Sequence, residues 1–209
     1  MKPNAKNSMR MSLILENVSL GRDTTIEPFC YLGISPSEKN LPTMIGDRGR
    51  IRAGTYIYEG NIIGNDFQTG NKVNIRESNR IGNKVSIGTL SIIEHDVIIE
   101  DDVRIHSAAF VPEFSILKRG SWIGPHCVVT NAKYPRSKNA KMDLTGPTVG
   151  EGAKIGACCV ILPGISIGPM AVIGAGSVVT KDVPSNSVIV GNPGRVIRTI
   201  GEIEGSPYQ

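Results

Sequence analysis

Between Ile45 and Val129 an aliphatic residue stands at every sixth position, and only Thr69 departs from the pattern. Neither an amphipathic helix, which repeats at about 3.6 residues, nor a half-buried strand, which alternates, gives that period. The residue two places earlier is often small or β-branched (Thr55, Val73, Val85, Ser91, Val103, Ala109, Cys127), and the residue following is glycine at 46, 64, 70, 82, 88 and 124. The period predicts a short strand and a corner in each repeat, three repeats to a coil, and backbone hydrogen bonds from coil to coil. The aliphatic residues then point into a dry core. Glycine is expected to relieve crowding at the corner, where positive φ costs other residues more.

The same period begins earlier in another phase, at Ile14, Leu20, Ile26 and Leu32, and the segment 33–44 with its two prolines resets it before Ile45. That segment reads as a loop leaving one corner. A second interruption, 131–148, is polar, basic and aperiodic, after which Val149, Ile155, Ile161, Ile167, Ile173 and Val179 resume the repeat. Such an insertion costs little loop entropy and projects over the surface. The pattern therefore predicts an all-β fold, a parallel β-helix of hexapeptide repeats over 13–184, preceded by a tail at 1–12. Residues 185–209 are expected to cap the helix, whose open end is an unpaired edge, and to finish in a frayed tail.

Composition fits that core. The chain has 209 residues with 5% aromatic content, so its interior is built from Ile, Val and Ala. The four cysteines, Cys30, Cys127, Cys158 and Cys159, lack zinc or disulfide-framework spacing and read as core thiols in a reducing cytoplasm. Met1 to Arg10 is polar and basic, and the apolar piece 13–15 is too short to insert, so neither a signal peptide nor a membrane span is expected. A net charge of +4 without interleaved aromatics argues against nucleic acid and for a small anionic ligand. Arg48, Arg50 and Arg52 form a basic cluster, read either as a phosphate contact or as an exposed strand edge.

Residues one coil apart stack at about 4.8 Å. One corner column then reads Gly70, Gly88, His106, Gly124, with a histidine in a glycine column and room beside its ring. A second reads Glu59, Glu77, His95, Glu113, Asn131, and its last member opens the long loop. The columns occupy different corners, separated by a face roughly 16 Å across for a strand of about five residues. His106 and Glu113 therefore cannot meet within one chain, but they can where triangular prisms pack about a threefold axis. His95, between two glutamates, reads as part of a charge ladder, and His126 as structural. Tyr134 and Arg136, on the loop, either hold a sugar and its phosphates or decorate a solvated surface.

The run Ile173-Gly-Ala-Gly-Ser-Val-Val-Thr-Lys-Asp-Val-Pro, followed by Val190-Gly-Asn-Pro-Gly-Arg-Val-Ile-Arg, resembles the C-terminal signature of the left-handed β-helix hexapeptide acyltransferases. Upstream, Phe67-Gln-Thr-Gly, Val73-Asn-Ile-Arg-Glu, Ser86-Ile-Gly-Thr, Arg104-Ile-His-Ser and Val129-Thr-Asn131 resemble the branch that acetylates amino sugars on nucleotide carriers; similar members carry Asp where this chain has Ala132. The resemblance implies acetyl-CoA as co-substrate, a homotrimer with sites in its clefts and a nucleotide-sugar acceptor. No metal is expected.

On that footing His106 is the expected general base for the amine, Asn131 orients the acceptor or binds the oxyanion, and Glu113 fixes sugar hydroxyls. Coenzyme A is expected beside the last coils, its pantetheine near Ala157 and Ala175 and its phosphates near Lys181, Arg195 and Arg198. An O-acetyltransferase with a hydroxyl acceptor is the alternative. A zinc carbonic anhydrase needs three converging histidines, and the chain has only His95, His106 and His126, assigned to different corners or to the interior. A non-catalytic scaffold would lack the loop and the C-terminal signature.

Overall fold

The computed structural model describes residues 12–36 and 39–203, so most of the expected N-terminal tail and residues 204–209 lie outside the described residues. Among the described residues, short strands stack into three sheets of nine, eight and ten strands, in which each strand pairs with the one three strands later in sequence until the last two strands of the ten-stranded sheet. We call them sheets A, B and C, in the order the chain meets them. The chain winds through them as the expected left-handed parallel β-helix.

Register follows the period. Ile75 pairs with Ile57 and Ile93, Ile81 with Ile63 and Ile99, and Ile105 with Ile87 and Ile123, so aliphatic residues stack on aliphatic residues inside each wall. These side chains are all buried. The early loop resets the phase as expected, pairing Leu20 with Ile45 and Ile26 with Ile51. Both interruptions leave from the corner between sheets A and B: the first between the strands Tyr31–Ile34 and Thr43–Ile45, the second between Val128–Val129 and Thr148–Val149. Thr148 is thus already strand.

Two local expectations are corrected. The corner glycines are required by close approach, not by positive φ: a Cβ on Gly88 would lie 2.4 Å from the Ser107 nitrogen in the coil above. Positive φ falls two residues further on, as at Asp96 (φ 55), Ala108 (φ 58) and His126 (φ 57). Cys30, Cys127 and Cys159 are buried free thiols, whereas Cys158 takes the positive-φ corner position and is exposed.

At the C-terminal end Ser187–Val190 adds a parallel strand to sheet C, and Arg195–Thr199 returns antiparallel along it, covering the sheet edge. No helix among the described residues is long and apolar enough to cross a membrane.

Candidate active site

The corner between sheets A and B is built from inside. Asn61 and Asn79 are buried there, and each amide nitrogen donates to the Arg76 carbonyl at 2.8 Å. Asn79 Oδ1 accepts the Val97 N–H at 2.7 Å, which ties the turn Glu94–Val97 to the coil below. A fully satisfied buried amide ladder of this kind fixes the backbone that carries the exposed side chains.

On that corner His95, Glu113 and Asn131 come together in one chain. Asn131 donates through Nδ2 to Glu113 Oε2 at 2.7 Å, and His95 Nε2 stands 3.7 Å from Glu113 Oε1, beyond hydrogen-bond range. His95 Nδ1 lies 2.8 Å from Asp96 Oδ2. A carboxylate only accepts, so Nδ1 carries the proton in that contact, and the neutral form of the ring would present its lone pair at Nε2. His95 also packs edge-on against Phe114, with centroids 5.8 Å apart. It is indeed part of a charge ladder, and the ladder continues below through Arg76, which pairs with Glu77 at 2.9 Å and Glu94 at 3.6 Å. Burial raises the Glu94 carboxyl, with Arg76 opposing.

The two loops flank this column. Glu59 at its foot accepts the Leu41 N–H at 2.7 Å from the first loop, and Asn131 at its head begins the second. The neck of the second loop is closed by Thr145 N–H donating to the Asn131 carbonyl at 2.9 Å. Tyr134, 65% exposed, and Arg136 stand out on this loop, with Lys133 over the Tyr134 ring.

His106 stands apart, on the corner between sheets C and A. Its ring packs on Trp122 with centroids 4.6 Å apart, and its Nε2 is buried without a hydrogen-bond partner. Burial, reinforced by nearby Arg104, pushes its pKa down, so the ring is neutral at pH 7. Within the chain it touches neither Glu113 nor Asn131. His126 lies exposed on the same corner rather than in the interior, its N–H bonded to the Ser107 carbonyl. No cluster of three metal-ligating side chains occurs among the described residues.

The expected cofactor residues fall in two places. Ala157 and Ala175 stack on the corner between sheets C and A, where the Gly176 N–H donates to the Ala157 carbonyl. Beside them Gly120, Trp122, Lys154, Gly156, Val172 and Ile173 line an apolar groove of about 410 Å³ along sheet C. Lys181 and Arg195 share a second groove of about 250 Å³ at the C-terminal end, which Arg198 does not line. Sequence reasoning read His95 as a charge-ladder member and not as a site residue, and it passed over Trp122. The signal for Trp122 was present: the single tryptophan occupies an outward strand position.

Residues 146–181 match the family described as bacterial transferase hexapeptide (six repeats). Serine acetyltransferase 2 of Arabidopsis thaliana is 41% identical over 112 residues, covering 50% of this chain and 35% of that protein. Galactoside O-acetyltransferase of Escherichia coli (strain K12) is 48% identical over 71 residues, covering 34% of this chain and 35% of that protein. The matches thus span about a third of the length of these curated relatives. Among solved structures, UDP-N-acetylglucosamine acyltransferase from Campylobacter jejuni superposes with a TM-score of 0.52 at 16% identity, covering 90% of this chain and 73% of that one, a likeness of fold. Fold and repeat together make the chain a left-handed β-helix of the hexapeptide class. Within that class, residues 146–181 are similar to the hexapeptide-repeat transferases.

Proposed function

We propose that the chain transfers an acetyl group from acetyl-CoA to the amine of a nucleotide-linked amino sugar, with the chemistry at the His95, Glu113 and Asn131 corner. Relatives named as acetyltransferases support the reaction class. The observation that carries the choice of acceptor is a set of acceptors on one corner. Asn131 spends its amide nitrogen on Glu113, reaching Oε2 at 2.7 Å and the main-chain oxygen at 3.3 Å. Its open atom is therefore Oδ1, an acceptor, which suits a substrate N–H and not an oxyanion. Together with His95 Nε2 and Glu113 Oε1 this offers three acceptors. An ammonium brings three N–H donors, a hydroxyl one.

The ammonium first loses one proton through His95 to solvent, Glu113 and Asn131 hold the remaining N–H groups, and the nitrogen lone pair attacks the thioester carbonyl carbon as His95 Nε2 takes a second proton. A C–N bond forms, the C–S bond breaks and the thiolate leaves, to be protonated from the imidazolium. Asp96 keeps His95 in the required tautomer. The base role expected for His106 moves to His95 on this reading, and His106 faces the site from a neighbouring subunit.

A homotrimer fits the outward side chains of sheet A, where Tyr31, Tyr56, Ile92 and Val128 are each more than a third exposed. Sheet A lies between the two corners, so packing it against a neighbour brings the His95 corner of one chain toward the His106 corner of the next. Pantetheine suits the groove beside Trp122, Ala157 and Ala175, and the phosphates suit Lys181 and Arg195, with Arg198 and the loop residues Tyr134 and Arg136 at the periphery. Buried free thiols and an acetyl-CoA substrate fit a reducing cytoplasm.

The test is thiol release from acetyl-CoA across a panel of nucleotide-linked amino sugars, with their hydroxyl analogues alongside. Turnover with amines alone supports the proposal. Turnover with hydroxyl acceptors alone, as the names of the relatives would favour, makes the chain an O-acetyltransferase, and no release with any acceptor leaves the scaffold reading.

A further inference from the structure

Most arginines on two of the corners are neutralised within the chain. Arg22 pairs with Asp47, Arg48 with Asp66, Arg76 with Glu77 and Arg119 with Asp101. Sheet C differs. Its outward residues from Arg50 upward are Gln68, Ser86, Arg104, Trp122, Lys154 and Val172, a stack without a carboxylate. Arg104 is exposed and makes no ion pair with any described residue. Arg52, on the adjoining corner, reaches only Glu27, at 4.0 Å.

Between them lies a polar groove of about 220 Å³. Arg52 and Arg104 line it, with Gln68, Ser86, Thr89, Ser107 and the corner glycines Gly70 and Gly88. His106 also lines it, with the buried and unpartnered Nε2. An orphan buried nitrogen is costly unless a partner arrives. The unpaired Arg104, Arg52 held only by its 4.0 Å contact with Glu27, hydroxyls and glycine backbone beside that nitrogen are complementary to a doubly charged anion with several acceptor oxygens.

We infer that this groove is a diphosphate subsite, in which Arg104 and Arg52 grip the diphosphate of the nucleotide-linked acceptor and His106 donates Nε2–H to it. The inference rests on the acceptor class proposed above and deepens it. A diphosphate also occurs in coenzyme A, but the apolar groove beside Trp122 and the cationic groove at Lys181 and Arg195 lie further toward the C-terminal end. The acceptor is therefore assigned to the groove below His106, and the cofactor to those above.

Calorimetric titration with inorganic pyrophosphate, with the diphosphates of uridine, thymidine and guanosine, and with coenzyme A separates the two sources. In the wild-type protein pyrophosphate and at least one nucleoside diphosphate are expected to bind. Arg104→Ala, and independently Arg52→Ala, should weaken both by about tenfold or more, as loss of a charge-assisted contact does. Arg104→Lys should recover part of the loss, and Arg80→Ala on sheet B should change nothing. Affinity for coenzyme A should stay within twofold throughout. The assignment is overturned if the wild type binds neither pyrophosphate nor any nucleoside diphosphate, if Arg104→Ala binds them unchanged, or if coenzyme A is the ligand that weakens. Diphosphate binding that depends on Arg104 in a protein releasing no thiol with any amino sugar would sink the acetyl-transfer reading and leave the subsite standing.

Discussion

Asn131 reaches down one coil to Glu113, its amide nitrogen 2.7 Å from the carboxylate and 3.3 Å from the same residue's main-chain oxygen. The first residue of the long loop is thereby anchored on the coil that faces His95, and the carboxylate is turned so that its other oxygen lies 3.7 Å from the imidazole. His95→Ala should therefore lower turnover by about 10²- to 10⁴-fold, the usual cost of losing a positioned base. Melting temperature should hardly move, since the side chain is not core. Near-normal kcat in that variant would remove His95 from the chemistry. Glu113→Ala should lower activity and destabilise the loop together, because it removes both Asn131's partner and the acceptor facing His95.

The corner between sheets B and C makes a prediction about acid. Side-chain oxygens of Asp47, Asn65, Asn83 and Asp101 each accept a backbone N–H from the coil below, at 2.8 to 2.9 Å. Arg22 beside Asp47, and the Asn83 N–H bonded to Asp101, hold these carboxyls below the usual carboxylate range. A carboxyl with a depressed folded pKa adds stability above its unfolded pKa and loses it as pH falls through the folded value. Thermal stability should drop as pH is lowered from the ordinary carboxylate range toward the depressed values. Asp101→Asn keeps the backbone acceptor but does not titrate, so its melting temperature should fall less over the same interval. An equal fall in both proteins would show that Asp101 does not contribute to the acid transition.

Ile105 and Arg104 are neighbours in one strand, facing opposite ways. Ile105 is 1% exposed, so Ile105→Asp places an unpaired charge in the dry interior, while Arg104→Ala changes only the outer wall. The first should fail to yield soluble folded protein, and the second should melt within a degree or two of the wild type. Circular dichroism on the two variants checks the register residue by residue: a well-folded Ile105→Asp protein would mean the strand is turned over.

The period of six made the walls legible, because burial of one side chain per strand leaves a mark at every repeat and tolerates only a rare exception such as Thr69. It also identified the glycine positions, though not their reason, since the clash that excludes a Cβ at Gly88 involves backbone in a different coil. The column containing Glu113 and Asn131 was readable by counting coils. His95 was there in the same column, but its role depends on which ring nitrogen meets Asp96, a matter of side-chain torsion that spacing does not encode. Arg48, Arg50 and Arg52 look alike in sequence. In the fold one pairs with Asp66, one faces solvent from sheet C and one borders the diphosphate groove, because a strand and its two corners direct them three ways.

Lys181 and Arg195 approach one groove from separate segments, one before the cap and one inside it. Neither makes an ion pair with a described carboxylate, so both are available to phosphate. Lys181→Glu should raise KM for acetyl-CoA about tenfold or more while leaving kcat near the wild-type value, the signature of lost binding away from the reacting atoms. Arg198→Glu, outside the groove, should have the smaller effect. A fall in kcat without a change in KM would place the cofactor elsewhere.

The last prediction concerns which chains build one cleft. His95 and His106 lie on corners separated by sheet A, and no side chain spans that face. If a neighbour packs against it, each cleft takes His95 from one subunit and His106 from another. His95→Ala should be nearly inactive, and His106→Ala should be weak when the acceptor is held below KM. Co-unfolding and refolding an equal mixture of the two should then restore about a quarter of wild-type activity, because a cleft works only where the two intact corners meet in one order. Mixing His95→Ala with Asn131→Ala gives no such recovery, as both residues belong to the same corner of the same chain. Activity in the first mixture that merely averages the parents would mean that each cleft is built by a single chain, and a monomeric mass by light scattering would remove the shared cleft altogether.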